Sequence, residues 1–238
     1  MRKYRQLGFT LLEMSILLVI IGLLVGGIVI GQGMIHQSEI RKTITEINQF
    51  RTSINAFVTQ YDSLPGDFKE AEQFWGIPTA IDGTENGDGN KLVEFVNKDG
   101  VHEGYRAWQH LAKALLVPGP FAGTGSIGAA IPGVDIPKSE LTGGYALESD
   151  ALGMAGQLVI LIGNPLSSTD TMLMDGTIRP EDAYDIDLKV DDGIPGEGVV
   201  RGADGYNAGS SACIDTGVIP AKYDLTKTRK DCFLGFQL

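Results

Sequence analysis

The 238-residue sequence predicts an α+β protein built on one long N-terminal helix. Three observations lead there. An apolar run extends from Leu11 to Ile35, an amphipathic stripe continues it in helical register to Tyr61, and short helix and strand patterns then alternate with glycine turns. A chain of this length has room for one ordinary domain and an appendage.

The apolar run is almost entirely Leu, Ile, Val, Gly and Met, interrupted by Glu13 and Ser15 and, near its far end, Gln32. About 20 such residues cross a bilayer core as a helix. Arg2, Lys3 and Arg5 stand immediately before it, where basic residues are retained on the cytoplasmic side, so the expected topology is N-terminus in and remainder out. A cleaved secretory signal would have an apolar region of about 7 to 15 residues and a small-residue cleavage site, and this run has neither. A plain membrane anchor explains everything except Glu13, because an ionised carboxylate in a spanning helix costs up to a few kcal/mol unless it sits near the interface or finds a partner.

The stretch LGFTLLEMSILLVIIG, Leu7 to Gly22, resembles the N-terminal signature of type IV prepilins, shared by type IV pilins and the pseudopilins of type II secretion. In that family a short basic leader ends in Gly, Phe usually follows, and Glu is the fifth residue of the mature chain. Here the leader is Met1 to Gly8, the new N-terminus is Phe9, and Glu13 falls in register. The resemblance implies cleavage between Gly8 and Phe9 by a prepilin peptidase that also methylates the amine of Phe9. It also implies that Glu13 pairs with the N-terminal amine of a neighbouring subunit during assembly. Two opposite charges in a low-dielectric medium attract strongly while a lone one is expensive, so assembly supplies the partner that Glu13 lacks. The leader takes three of the 19 basic residues and none of the 30 acidic ones, which leaves the mature chain at −14.

Beyond Gly33 the stripe is Ile40, Ile44, Ile47, Phe50, Ile54, Phe57, Val58 and Tyr61, with Glu39, Arg41, Lys42, Glu46, Asn48 and Arg51 on the other side. Such a stripe is suited to lying on a sheet, and it lacks the sustained heptads of a coiled coil. Pro65 supplies a stop. The whole helix from Thr10 to Tyr61 is expected to be roughly 78 Å long. Gly22, Gly26, Gly27, Gly31 and Gly33 offer small surfaces for close helix contact, and ordinary transmembrane glycine usage accounts for them equally well. The chain thus divides into a leader over 1–8, a transmembrane and assembly helix over 9–35, an amphipathic half over 36–62 and a globular region over 63–238. The resemblance implies that the globular region is pilin-like, with an antiparallel sheet laid against the amphipathic half.

Within that region, Asp67 is placed to cap a short helix, with Glu70 in the capping-box position and Phe68, Ala71, Phe74 and Trp75 facing inward. YRAWQHLAKALLVPG reads as a second short helix that buries Trp108, Leu111, Leu115 and Leu116, ends at Pro118 and Gly119, and leaves His110 on its polar side. Residues 118–137 read as a loop or irregular ribbon. GGYALES and GQLVILIGN read as strands, the second apolar enough for a central position. RPEDAYDIDLKVDDG reads as a helix opened by Pro180 and closed near Gly193, with Ala183, Ile186, Leu188 and Val190 as its apolar residues. Short strands joined by turns are expected after Gly217.

A formal charge of −11 argues against nucleic acid as a partner, because a phosphate backbone is held by clustered Lys and Arg and this chain carries 30 acidic residues against 19 basic ones. Cys213 and Cys232 are the two cysteines, both beyond the membrane in this topology, and a disulfide is the natural reading. The region they bound is also similar to the C-terminal disulfide region of many type IV pilins. His36, His102 and His110 are not grouped with the cysteines, which argues against zinc.

DGTENGDGNKLVE, Asp82 to Glu94, concentrates oxygen ligands and glycines as calcium loops do. Asp82, Thr84, Asn86, Gly87 and Asp88 match the first positions of an EF-hand frame, which then fails because position twelve is Val93. Calcium at Asp82, Asn86, Asp88 and Asn90 is therefore weighed against a plain polar turn. Some pseudopilins hold calcium in their globular domains, so the resemblance keeps the metal in play. Asp187, Asp191 and Asp192 read as a solvated helix end. No nucleophile motif or P-loop occurs, and an enzyme is not expected.

The sequence therefore points to a structural subunit of a type IV pilus or secretion pseudopilus. Its partners are a prepilin peptidase/methyltransferase and other such subunits, it waits in the inner membrane, and its domain lies outside the cytoplasm. The alternative is a membrane-anchored extracytoplasmic ligand- or calcium-binding protein that does not polymerise.

Overall fold

The computed structural model describes residues 9–77, 86–94, 102–121, 131–165, 173–209 and 212–238. The chain divides into two units, Met1–Arg41 and Lys42–Leu238. Helix α1, Leu11–Tyr61, contributes its first part to one and its last part to the other.

In the first unit the stretch of α1 from Leu11 to Ile35 is apolar but for Glu13, Ser15 and Gln32. Its most apolar window has a mean hydropathy of 2.8 and none of it is buried, so this is a helix long and apolar enough to cross a membrane. A helix that is hydrophobic all round has no polar face to give to water.

In the second unit the remaining turns of α1 behave as an amphipathic helix. Ile47, Ile54 and Phe57 are buried at the spacing of the stripe, and Ile44, Phe50, Val58 and Tyr61 are half-buried beside them. Phe57 and Tyr61 pack against Phe68 and Trp75, while Phe50 and Glu46 meet a four-stranded antiparallel sheet in the order β1-β2-β6-β3, formed by β1 Gly144–Ser149, β2 Leu158–Gly163, β6 Cys232–Gln237 and β3 Val200–Asp204. The register sets Tyr145 against Ile162, Leu147 against Ile160 and Ile160 against Phe236. Because strand side chains alternate, these residues share one face. The Phe50 ring meets Tyr145 at 5.0 Å, and the Tyr145 hydroxyl donates to Glu46 at 2.7 Å, which identifies that face as the one under the helix. Truncating Ile47 or Ile54 to Ala would cost about 2–5 kcal/mol through lost burial and the cavity left behind. The opposite face carries Ala146, Val159, Leu161 and Gly235, and Leu152 from the β1–β2 connection closes over Gly235.

Central placement of β2, expected from its continuous apolar run, is what the sheet order shows. Helix α4, Pro180–Val190, begins at Pro180 as expected and buries Ala183 and Ile186, while Leu188 stays exposed. Two short strands, β4 Ile214–Asp215 and β5 Lys222–Tyr223, form a separate hairpin.

Four local expectations are corrected. Helix α2 is only Ala71–Trp75; Asp67 does not cap it, and Phe74 is exposed. Its first turn is instead satisfied from a distance, because the Glu72 N–H donates to the side-chain oxygen of Asn86 at 2.9 Å. Helix α3, Glu103–Lys113, stops before Leu115, which adopts a left-handed backbone and faces solvent. His110 is fully buried, with its Nδ1 accepting from the Gly66 N–H at 3.0 Å and its ring stacked near Phe57. Asp187 is fully buried too, accepting from the Tyr223 hydroxyl at 2.8 Å and from the Gly193 N–H at 3.1 Å. Sequence pattern places both polar residues at the surface, whereas each has a partner that only the fold brings to it.

Candidate functional site

The first feature is the head of α1. Phe9, Leu11 and Leu12 are largely exposed, and Gly8 lies outside the described residues. The Thr10 N–H donates to the Glu13 carboxylate at 2.7 Å and the Thr10 hydroxyl donates to the same oxygen at 2.9 Å. In return the Glu13 N–H donates to Thr10 Oγ1 at 3.2 Å. This reciprocal pattern is a capping box, in which side chains satisfy N–H groups that the first helical turn leaves without intrahelical partners. Thr10-Leu11-Leu12-Glu13 spells it in the sequence, where the apolar context drew attention to the charge alone.

The second is the disulfide. Cys213 and Cys232 are bonded to each other and fully buried, with a sequence separation of 19. The bond ties the start of the β4–β5 hairpin to the first residue of β6. Asp204 reinforces the tie by accepting from the N–H groups of Cys213 at 2.6 Å and Ile214 at 3.0 Å.

The third is a group of three carboxylates. Asp67, Asp88 and Glu103 each offer an oxygen within 4.8 Å of the others. Asp67 and Glu103 are buried. Gly87 makes the approach possible: a Cβ there would lie 2.3 Å from the Asp67 carbonyl carbon, so any larger residue would push the two chain segments apart. Asp67 accepts from the N–H groups of Asn90 at 3.0 Å and Lys91 at 2.9 Å, and Glu103 from those of Asp88 and Glu94, each at 3.1 Å. These bonds favour the ionised forms, but burial outweighs them. It lifts Glu103 to about 7, the Asp67 and Asp88 charges adding to it, and it raises Asp67 as well. Arg106, one turn further along α3, donates to the Asn86 carbonyl at 3.4 Å.

An all-oxygen, carboxylate-rich set suits a hard cation such as Ca²⁺ rather than a softer metal. Of the four residues read as calcium ligands, Asp88 is the one brought into this group. Asn86 gives its side-chain oxygen to Glu72 N–H. The Asn90 side chain accepts from Leu92 N–H and donates to Asp88 and Glu94. Asp82 lies outside the described residues. Nothing local in the sequence joins Asp67 and Glu103 to Asp88, from which 21 and 15 residues separate them. The acidic first turn of α3 was the local signal for Glu103.

No family model, curated protein or solved structure matches this chain. The functional reading therefore rests on the residues themselves and on the physical demands of the three features. Asp187, Asp191 and Asp192 also converge, but Asp187 is engaged by Tyr223, and Asp191 accepts from the N–H groups of Val199 and Val200. Those bonds describe a closed helix end.

Proposed function

We propose that the protein is a type IV pilin-like structural subunit, cleaved between Gly8 and Phe9 by a prepilin peptidase, N-methylated on Phe9, and assembled through α1 into a pilus or secretion pseudopilus. One observation carries the reading: an apolar, unburied helical stretch whose first turn holds a carboxylate, Glu13, four residues after Phe9, the proposed new N-terminus. Such a helix needs a lipid or protein environment, and Glu13 gains a counter-charge only when a processed amine comes close. The α+β domain, with an amphipathic helix laid on an antiparallel sheet and a disulfide toward the C-terminus, supports a pilin-like fold.

In this reading the protein is a substrate of its peptidase and a building block, not an enzyme. It waits in the inner membrane with its domain outside the cytoplasm, among other pilin or pseudopilin subunits, and nucleic acid is not a partner. Mass spectrometry of the mature N-terminus tests it: N-methyl-Phe9 is expected, and an intact Met1 in membrane-extracted protein would overturn it.

The carboxylate group favours a second reading, in which the domain also holds calcium at Asp88 with Asp67 and Glu103. Calcium there would neutralise charge that burial makes costly. Calorimetry with calcium on the metal-free protein tests it, and no heat at millimolar ion would retire it.

A further inference from the structure

The β4–β5 hairpin ends in a tip that none of the roles above uses. Beyond the paired strands, residues 216–221 read Thr-Gly-Val-Ile-Pro-Ala. Ile219 is 99% exposed, and Val218 and Leu225 are exposed as well. Exposed apolar side chains on a loose turn can fold back onto the nearest core, but this turn has a fixed base. Cys213 is held by the disulfide and by Asp204, the Asp224 N–H donates to the Cys213 carbonyl at 2.8 Å, and Tyr223 is held by buried Asp187. The exposed tip thus stands on a base that is bonded on both strands.

The stretch that follows the tip in sequence differs in charge from the acidic chain as a whole. Lys222, Lys227, Arg229 and Lys230 fall within nine residues, with Asp224 the one acid among them. Lys227 pairs with Asp224 at 3.9 Å and Arg229 with Asp231 at 3.4 Å, yet the basic side chains are 50% and 78% exposed against 21% and 12% for the acids. The cations project and the carboxylates lie beneath them. Asp215, on the first strand, turns its carboxylate onto the Gly217 N–H at 2.8 Å.

We propose that this hairpin tip is a contact for an anionic lipid bilayer, with Val218 and Ile219 entering the headgroup boundary and Lys222, Lys227 and Arg229 meeting the lipid charges, while Lys230 is held at the Leu141 carbonyl at 3.2 Å. Apolar insertion and attraction to anionic headgroups act together at such surfaces. The acidic remainder of the chain is repelled by the same surface, so the tip is the part presented to it. A nucleic acid would use the cations and leave Ile219 in water. A protein pocket would use Ile219 without needing the basic residues that follow it in sequence. The proposal goes beyond the assembly reading and does not depend on it.

The test reconstitutes the full chain through its N-terminal helix into neutral phosphatidylcholine vesicles and mixes these with labelled acceptor vesicles, with or without phosphatidylserine. Docking is expected to be at least about tenfold greater to the phosphatidylserine acceptors, to fall at least about fivefold in Ile219→Asp, and to fall comparably in Lys227→Glu/Arg229→Glu. Each variant is checked for an intact disulfide and an unchanged melting temperature, and Ile219→Ser replaces any that fails. Equal docking to neutral and anionic acceptors overturns the proposal. So does undiminished docking by the Ile219 variants, which would reveal a purely electrostatic contact that a nucleic acid could also make. Clustering of the donor vesicles among themselves, lost on Ile219 substitution, would assign the tip to a second copy of this chain and likewise overturn it. A missing N-methyl-Phe9 bears on the assembly reading alone.

Discussion

Thr10 and Glu13 hold each other at the head of α1, each side chain accepting from the other's backbone N–H, at 3.2 and 2.7 Å. Glu13 therefore has two roles that substitutions can separate: it starts the helix, and in the proposed function it supplies a charge. Glu13→Gln keeps an oxygen for the Thr10 N–H and removes the charge. Glu13→Ala removes both, and with them one half of the capping box. Both variants are expected to insert in the membrane and to enter filaments poorly, as measured in sheared filament fractions. Wild-type incorporation of Glu13→Gln would leave capping as the residue's whole contribution.

Under the proposed function, Gly8→Arg is expected to leave an uncleaved precursor in the membrane, because a peptidase would meet a long charged side chain at the proposed cleavage bond. An immunoblot shows this as a band heavier than the processed form. A normally shortened product would remove Gly8 from the processing site.

Replacing Cys213 or Cys232 with Ser opens the loop that the disulfide closes. For a loop of this size the chain-entropy contribution is about 3 kcal/mol. The melting temperature is expected to fall in either variant and in reduced wild-type protein by a similar amount. The three should coincide, because both sulfurs are buried and the bond is the one link lost.

Glu103 and Glu148 are both pushed up to about 7, burial being the main cause in each. A carboxyl whose pKa is raised on folding binds its proton more tightly in the native state. Its contribution to stability is therefore present below its unfolded value, near 4.5, and is lost as pH rises through about 7. In chelator-treated protein the melting temperature is expected to be higher near pH 5 than near pH 8, with Glu103 alone worth about 2 kcal/mol across that range. Glu103→Gln is expected to flatten the profile; an unchanged slope would show that Glu103 does not carry it.

Calcium is expected to act most where those carboxylates are ionised. Added at pH 8 it should raise the melting temperature more than at pH 5, and the difference should vanish in Asp88→Asn. An equal shift in wild type and Asp88→Asn would place any bound calcium elsewhere.

The division between sequence and structure follows the range of the forces. Periodicity over Leu11–Tyr61, the apolar run of β2 and Pro180 at the start of α4 are local patterns, and each produced the element it implied. The strand β3, Val200–Asp204, carried no such pattern: VRGAD has a glycine at its centre, and pairing with β6 is what makes it a strand. Asp67 had the spacing of a cap, but a loop some twenty residues later offered it two backbone N–H groups, and α2 began at Ala71 without it.

By itself, then, the sequence determined the long helix, its apolar first half, the position of Glu13 in its first turn and the availability of two cysteines. All of these depend on residues close in the chain or on composition. The tertiary structure decided the meeting of Asp67, Asp88 and Glu103, the burial of His110 and Asp187, and the exposure of Ile219 on a fixed base. These arise from segments far apart in sequence, where burial and the demand that buried polar groups find partners override local propensity.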